Sequence, residues 1–269
     1  MFMRRIAKVE QALMETMFQL SQRLEIAGGG LPDFGFSPDA TQSEVISCGA
    51  KRLMLCCTRQ WGKSTTAAAL VARRAIEEEG ALVLCVAPTL RQSGELIRKV
   101  MGMMAAAGVV WKGGKLSGVL PNGSRIVALP GHEANVRGFS SPSLIVIDEA
   151  ARVSDALYAS IRPMLVVGDG DLALLSTPFG ERGFFWKEWA GGGEGWKRIS
   201  VKATECERIA VHVLEEERRT HSAEWFAQEY LCSFVGMENQ AFQSAWLEAA
   251  LVEGLQVKSL QFQMKGGTL

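Results

Sequence analysis

The sequence predicts an α/β fold with a mainly parallel sheet and helices on both of its faces. Short apolar runs of strand length alternate along the chain with stretches of helical periodicity. An apolar run at 53–57, a helical stretch at 65–78 that ends before Gly80, and a second apolar run at 81–87 form one βαβ unit. Of the 269 residues, 48% are hydrophobic and 22% are charged, so the chain can bury a full core and a disordered chain is excluded.

Further elements extend the same pattern. A second helix is predicted over 92–107, and apolar residues alternate on either side of Asn122-Gly123, which is a hairpin signal. Continuous apolar runs at 143–148 and 171–177 predict two more buried strands, and 205–230 has helical periodicity. The pattern therefore predicts at least five strands and three helices in one α/β unit.

The region before the first strand has a different character. Apolar residues recur at steps of three and four between Ile6 and Leu24, which predicts an amphipathic helix that ends at the glycines 28–30. We interpret residues 1–30 as a helical appendage. Residues 31–50 are rich in turn-forming residues, with Pro32, Gly35 and Pro38, and we expect a turn-rich segment there.

Charge and cysteine usage limit the classes of function. The 29 basic residues balance the 29 acidic ones, which excludes a uniformly basic nucleic-acid binder, so any anionic partner must meet a local patch. No secretory signal and no membrane-length apolar stretch is present, so we expect a soluble intracellular chain without a membrane partner. The six cysteines lack CxxC spacing, and neither a disulfide framework nor a zinc site is predicted.

The run CTRQWGKST, at 57–65, follows the first strand and opens the first helix, as a phosphate-binding loop does. In such a loop Lys63 reaches the β and γ oxygens of a nucleotide and the Ser64 hydroxyl binds magnesium. Cys57 stands where the general pattern has glycine, and a chance surface loop is the alternative reading. We predict that the nucleotide is bound by Thr58, Arg59, Gln60, Trp61, Gly62, Lys63, Ser64 and Thr65.

Two carboxylates, Asp148 and Glu149, follow the apolar run at 143–148, where ligands collect in open α/β sheets. Asp148 is predicted to support the metal, and Glu149 to orient and deprotonate the attacking water. The alternative is an acidic strand end that caps the next helix. No NKxD motif for guanine recognition occurs, so a simple GTPase is not indicated.

Ser176 and Thr177 end the apolar run at 171–177, just before Pro178. Their hydroxyls are candidates for sensing the γ-phosphate and passing its loss to the following segment. The alternative is a Ser/Thr turn stopped by proline.

Five ordered blocks together resemble the ATPase domain of the large terminase subunit of tailed bacteriophages. They are RQWGKS (59–64), APTLRQS (87–93), NVRGFS (135–140), IVIDEAA (145–151) and LLSTPFG (174–180). The resemblance covers most of residues 36–235. It implies a P-loop NTPase of the ASCE type that hydrolyses ATP with Mg²⁺, and arginine and glutamine before Gly-Lys-Ser are typical of these packaging motors.

The resemblance also implies roles for individual residues. Gln42 matches the family's adenine-reading glutamine, although a turn residue is the alternative. Arg137 matches an arginine inserted into a neighbouring subunit's site, and Arg59 competes with it as a catalytic arginine that acts within its own subunit. For each of them, a surface salt bridge is the alternative. Ser176 and Thr177 match the coupling motif.

The resemblance further implies the domain plan and the partners. Residues 31–204 are expected to form the ATPase core, 205–235 a helical lid and 236–269 a linker toward an absent nuclease domain. No nuclease activity is expected, because the tail carries too few carboxylates for a two-metal site. The expected setting is the host cytoplasm, with double-stranded DNA, the small terminase subunit and a homo-oligomeric ring on the capsid portal as partners; the isolated chain is expected to be a monomer.

Basic residues near the surface are candidates for contacts with DNA phosphates, although each pair is also typical of a solvated helix face. They are Lys112, Lys115, Arg73, Arg74, Lys197, Arg198, Arg218 and Arg219. Two other functions stay open: another DNA translocase or helicase with the same core, and a nucleotide-dependent assembly module that does not hydrolyse ATP.

Overall fold

The computed structural model describes residues 32–132, 136 and 138–236. The predicted appendage over 1–30 and all but the first residue of the predicted linker over 236–269 lie outside these ranges. The described residues up to Val235 belong to one compact unit.

The described residues contain one eight-stranded sheet, in the order β3-β4-β5-β2-β6-β7-β1-β8. The six strands β5, β2, β6, β7, β1 and β8 pair with their neighbours in parallel. Next to β5, strands β4 and β3 add two antiparallel pairings at one side of the sheet. The strands are β1 (Arg52–Cys57), β2 (Leu82–Ala87), β3 (Lys112–Gly113), β4 (Ser117–Val119), β5 (Arg125–Pro130), β6 (Leu144–Asp148), β7 (Asp171–Ser176) and β8 (Lys197–Val201).

Seven described α-helices connect or flank these strands, and short 3-10 turns follow β6 and β8 at 150–152 and 203–205. The helices are α1 (Ala40–Ser47), α2 (Lys63–Glu77), α3 (Leu90–Ala106), α4 (Asp155–Gly168), α5 (Gly183–Gly191), α6 (Val211–Thr220) and α7 (Ala223–Leu231). Among the described residues, no helix is both long and apolar enough to cross a membrane.

Each face of the sheet has its own hydrophobic core, because successive side chains of a strand point to opposite faces. In β1, Leu53 and Leu55 pack into one core with α1, α2 and α3, while Met54 and Cys56 pack into the other core with α4 and α5. This two-sided burial explains the continuous apolar runs, and it confirms the predicted parallel sheet with helices on both faces.

The hairpin predicted at Asn122-Gly123 joins β4 to β5, and these two strands pair antiparallel. The N–H of Leu120 donates to the Ser124 carbonyl at 2.8 Å and closes the turn, in which Gly123 has φ +81°. Glycine suits this position because left-handed backbone is strained for residues with a side chain.

The segment 31–50, predicted to be turn-rich, also contains the helix α1, which was not predicted. Its N-cap, Asp39, accepts from the N–H of Gln42 at 2.8 Å, and the Gln42 side chain accepts from the Asp39 N–H at 3.0 Å. This reciprocal capping box satisfies backbone donors that a short helix otherwise leaves open, so α1 forms despite its proline- and glycine-rich flanks.

Helices α6 and α7 lie in the predicted lid and share a small hydrophobic cluster. Leu214 of α6 and Phe226 of α7 pack there with Ala203, and Tyr230 stacks near Phe226 at 5.2 Å between ring centroids. The division into a core over 31–204 and a lid over 205–235 stays a prediction, which this separate cluster supports.

Replacing Leu84 by alanine should lower the free energy of unfolding by about 2–5 kcal/mol, because Leu84 is fully buried in β2 and the change leaves a cavity. Val167 in α4 is 82% exposed, so Val167→Ala should change the same free energy by less than about 0.5 kcal/mol. Urea unfolding followed by circular dichroism measures both, and equal effects of the two substitutions would contradict the buried-sheet assignment.

Candidate functional site

A tight loop joins β1 to α2 and presents the start of that helix at one edge of the sheet. Gln60 has φ +64° and Gly62 has φ +100°, so two residues of the loop are left-handed. Gly62 is the N-cap of α2 and has no side chain to cap it. Backbone N–H groups at such a helix start form a site for anions, so the loop has the geometry of the predicted phosphate cradle.

The lysine of this loop is folded back against it. The Lys63 Nζ atom donates to the carbonyl oxygens of Cys57 at 3.0 Å and Thr58 at 2.9 Å, and the residue is only 8% exposed. The ammonium group therefore places a positive charge beneath the loop, where two carbonyl oxygens replace water around it.

Ser64 and Asp148 are in contact at the carboxyl ends of the strands, where the Ser64 hydroxyl donates to Asp148 Oδ2 at 2.8 Å. Asp148 ends β6 and is 8% exposed. Strand β7 lies between β1 and β6, and the parallel register brings all three carboxyl ends together. The two predicted metal-binding residues are thus in direct contact.

Glu149 follows Asp148 in a left-handed conformation, with φ +53° and ψ +40°. Its Oε2 atom accepts from Arg152 Nη1 at 2.9 Å, and the same Nη1 donates to Thr177 Oγ1 at 3.2 Å. Arg152 was not among the predicted site residues. Its block, IVIDEAA, ended one residue earlier, and nothing in local sequence indicates that this arginine turns back to Glu149.

Ser176 and Thr177 lie between the cradle and the carboxylates, at the end of β7. Ser176 is fully buried, and its hydroxyl accepts from the Ala151 N–H at 3.2 Å, within the turn that follows Glu149. Both predicted coupling residues thus contact the segment that carries the predicted catalytic carboxylate. Their role in coupling stays a prediction.

Helix α7, which lies in the predicted lid, contacts the cradle through Glu229. Arg59 Nε lies 2.5 Å from Glu229 Oε2, and this hydrogen bond raises the pKa of the arginine. The Glu229 carbonyl accepts from the Arg59 N–H at 3.3 Å and from the Thr58 hydroxyl at 3.2 Å. Sequence reasoning missed Glu229, because its contacts join positions about 170 residues apart.

These groups enclose a cavity of about 540 Å³. Most of the predicted loop residues, Glu149 and Thr177 line it, together with three residues that the sequence did not indicate. The lining residues are Arg59, Gln60, Gly62, Lys63, Ser64, Thr65, Gln92, Lys99, Glu149, Arg152 and Thr177.

Gln42 lies behind the loop, outside that lining, and is 1% exposed. Its Nε2 donates to the Trp61 carbonyl at 3.1 Å, while its Oε1 serves the α1 capping box. Both ends of the amide are therefore occupied within the protein. To recognise adenine, the Gln42 amide would have to break these hydrogen bonds and form new ones with the base. This role of Gln42 stays a prediction.

Arg137 lies outside the described residues, so its role in a neighbouring site stays a prediction. The predicted DNA-contacting residues are described, and several are engaged within the chain. Arg73 pairs with Glu77, Arg74 bonds to Asp171 and Glu78, Lys197 pairs with Glu44, and Arg198 donates to backbone carbonyls. Lys112, in β3, and Lys115, two residues after that strand, are exposed.

The thiols of Cys57 and Cys85 are buried and protonated, although the Cys57 backbone carbonyl binds Lys63. Burial raises the pKa of the Cys57 thiol to about 12 and also raises that of Cys85, so both remain protonated at neutral pH. Their positions within buried strands agree with cysteine as a small hydrophobic residue.

The cradle after β1, the carboxylates after β6 and an intervening β7 define a P-loop NTPase of the ASCE type. A family model described as the terminase large subunit, T4likevirus-type, N-terminal, matches residues 54–249. The chain belongs to this family, as the ordered sequence blocks indicated.

Curated relatives and solved structures agree with that assignment. The large terminase subunit of Thermus virus P23-45 is 26% identical, with 77% of this chain and 51% of the relative covered. The large terminase subunit of Escherichia phage T5 is 27% identical, with 82% and 53% covered. The chain thus spans about half the length of the curated relatives it matches.

The fold is that of solved terminase structures. The large terminase ATPase domain of Thermus phage P74-26 superposes with a TM-score of 0.67 at 20% identity, covering 75% of this chain and 96% of that one. The large terminase of a second thermophilic bacteriophage gives a TM-score of 0.65 at 13% identity, covering 74% and 54%.

Replacing Gly62 by alanine should lower the free energy of unfolding by at least about 1 kcal/mol, because left-handed backbone is costly for alanine. A Cβ atom there would also lie 2.8 Å from Gln42 Nε2. In Gly49→Ala the new Cβ would meet no atom within 4 Å, so this control should be neutral or slightly stabilising in the same urea titration. Equal stability of both variants would contradict the loop conformation.

Proposed function

We propose that this chain is the ATP-hydrolysing motor domain of a viral terminase, which drives double-stranded DNA into a procapsid. The observation that carries the proposal is the meeting of Lys63, Ser64, Asp148 and Glu149 at one edge of the sheet. Three of these four line the same cavity, and Asp148 reaches it through its bond to Ser64. The chain's membership of the large-terminase family supports ATP as the nucleotide.

Related structures support a nucleotide in this fold. Two structures of the large terminase of that second thermophilic bacteriophage are described as complexes with ADP and with ATP-gamma-S, each with a TM-score of 0.62 to this chain. At 12% identity they establish the shared fold. ATP binding by this chain rests on its own cradle and cavity.

The residues around Ser64 suit Mg²⁺. The Ser64 hydroxyl and the Asp148 carboxylate offer hard oxygen atoms 2.8 Å apart, and oxygen ligands are those that Mg²⁺ prefers. Ser64 and Asp148 would hold the ion, which when bound neutralises charge on the phosphates. Elsewhere in the described residues, no group of three or more acidic, histidine or cysteine residues suits a metal.

Different residues of the chain bind the phosphates, accept the proton of water and stabilise negative charge in the proposed reaction. Backbone N–H groups at the start of α2 and the Lys63 ammonium group bind and orient the phosphates. Glu149 accepts the proton of the attacking water, so one of its oxygens must face that water. Arg59 and Arg152 lie on the cavity wall and can stabilise the negative charge of the phosphoryl group.

Assembly extends this proposal. Several copies in a ring on the capsid portal would bring exposed lysines such as Lys112 and Lys115 around a DNA channel, so a balanced charge on one chain is compatible with binding duplex phosphates. In the ring Arg137 would complete a neighbouring site, while the isolated chain is a slow monomer. The small terminase subunit is a further proposed partner, and the host cytoplasm is the proposed location.

Glu149→Ala should retain ATP binding and lower kcat by about 10² to 10⁴, because a general base contributes that much. Lys63→Ala, as the matched control, should lose binding instead. Fluorescent-nucleotide titration measures binding, and phosphate release with Mg²⁺, with and without duplex DNA, measures turnover. Unchanged turnover in Glu149→Ala would overturn its catalytic assignment, and ATP binding without turnover in the unmodified chain would favour an assembly module.

Mixing Arg137→Ala chains with Lys63→Ala chains should restore part of the ATPase rate, because an intact Arg137 then meets an intact cradle in a neighbouring subunit. The rate is measured against protein concentration and mixing ratio, with each variant alone as control. Absence of rescue in a demonstrated mixed assembly would indicate that Arg59, or Arg137 within its own subunit, supplies the charge.

A further inference from the structure

Glu229 of α7 is a buried carboxylate at the contact between the predicted lid and the cradle. The residue is 2% exposed, and a buried charge is stable only where it is paired. Its Oε2 atom pairs with Arg59 Nε at 2.5 Å, and its Oε1 atom lies 3.5 Å from Arg152 Nη2. One acidic side chain therefore faces two guanidinium groups.

Arg152 is shared between this lid carboxylate and the predicted catalytic one. Its Nη1 atom donates to Glu149 at 2.9 Å and to the Thr177 hydroxyl at 3.2 Å, while Nη2 faces Glu229. The guanidinium carbon lies 4.7 Å from the centre of the Phe179 ring, which supports its plane. A planar fork of donors can span two carboxylates in this way, whereas a lysine ammonium is a single point charge.

The contact of Arg152 with both carboxylates affects Glu149, because a general base needs a carboxylate oxygen that water can approach. Arg152 occupies one oxygen of Glu149 in this arrangement. The negative charge of Glu229 attracts the same guanidinium group toward the lid. Because Glu229 and Glu149 share this one guanidinium group, we expect a stronger bond to Glu229 to draw Arg152 away from Glu149, and a weaker one to leave Glu149 held.

We infer that Glu229 is a positioning residue that sets, through Arg152, whether Glu149 is available to the attacking water. The inference rests on the proposed ATPase function and adds a link from the lid to the reacting atoms. Because the Glu229 backbone also holds Thr58 and Arg59, a shift of α7 relative to the cradle changes the loop contacts and the Arg152 contact together.

The primary test is Glu229→Gln, which keeps the size of the side chain and removes its charge. Arg152 then has Glu149 as its remaining acidic partner at this point of the site, so kcat should fall about tenfold or more. The KM for ATP should stay within about threefold, since Lys63 and the start of α2 are unchanged. Glu224→Gln, on the exposed first turn of the same helix, is the matched control and should keep both values.

Arg152→Lys tests the path itself, because one ammonium group cannot bridge both carboxylates. Its kcat should fall while KM is retained, and adding Glu229→Gln in that background should change kcat by less than about twofold. Equal losses from Glu229→Gln in both backgrounds would overturn the path through Arg152. If Glu229→Gln does not fold, as judged by circular dichroism, an unchanged kcat in Arg152→Lys alone overturns it.

The outcomes separate this inference from the proposed function. An unmodified chain that does not hydrolyse ATP with Mg²⁺, even with DNA, contradicts the proposed function. An active unmodified chain whose Glu229→Gln variant keeps its kcat contradicts this inference only. A change confined to KM would show that Glu229 merely fastens Arg59 and the loop.

Discussion

The parallel pairing of β1, β7 and β6 is the constraint on which the site depends. It brings the cradle loop, the buried hydroxyls of Ser176 and Thr177 and the carboxylates of Asp148 and Glu149 to one edge of the sheet. The hydrogen bond from Ser64 to Asp148 connects the start of α2 with the end of β6, past the end of the intervening β7. A shift of either pairing by one residue would turn these side chains toward a hydrophobic core, so the two cores also maintain the register.

Contacts from helix α7 in the predicted lid then determine how the side chains at this end of the sheet are arranged. Helix α7 contributes one residue that binds the loop through its backbone and two arginines through its side chain. The resulting set of charges has alternating sign, from Arg59 through Glu229 and Arg152 to Glu149. In such a set a change at one end alters the partners available at the other, because neighbouring charges share partners and the buried Glu229 carboxylate needs its two arginines.

Local sequence was sufficient for the elements that repeat or carry a motif. Apolar runs located β1, β2, β6 and β7, Asn122-Gly123 located the hairpin of β4 and β5, and Gly-Lys-Ser after a strand located the cradle. Strand β8 and helices α4 and α5 were not predicted. Helix α1 was missed because its stability comes from side-chain capping by Asp39 and Gln42 and not from periodicity. Glu229 was missed because its partners Arg59 and Arg152 lie far away in sequence, and only the folded chain brings those charges together. Arg152 was missed although it lies three residues after Glu149, because its contact with Glu229 also depends on the folded chain.

The burial of Trp61 has a consequence for any ligand that enters the cavity. Trp61 lies at the centre of the cradle loop yet is only 1% exposed. Its backbone carbonyl oxygen accepts hydrogen bonds from the side chains of Gln42 and Arg208. The side chain anchors the loop in the core, so its backbone is already ordered before a phosphate arrives. The loss of conformational entropy therefore accompanies folding and not binding, which leaves more of the phosphate's interaction energy available as affinity.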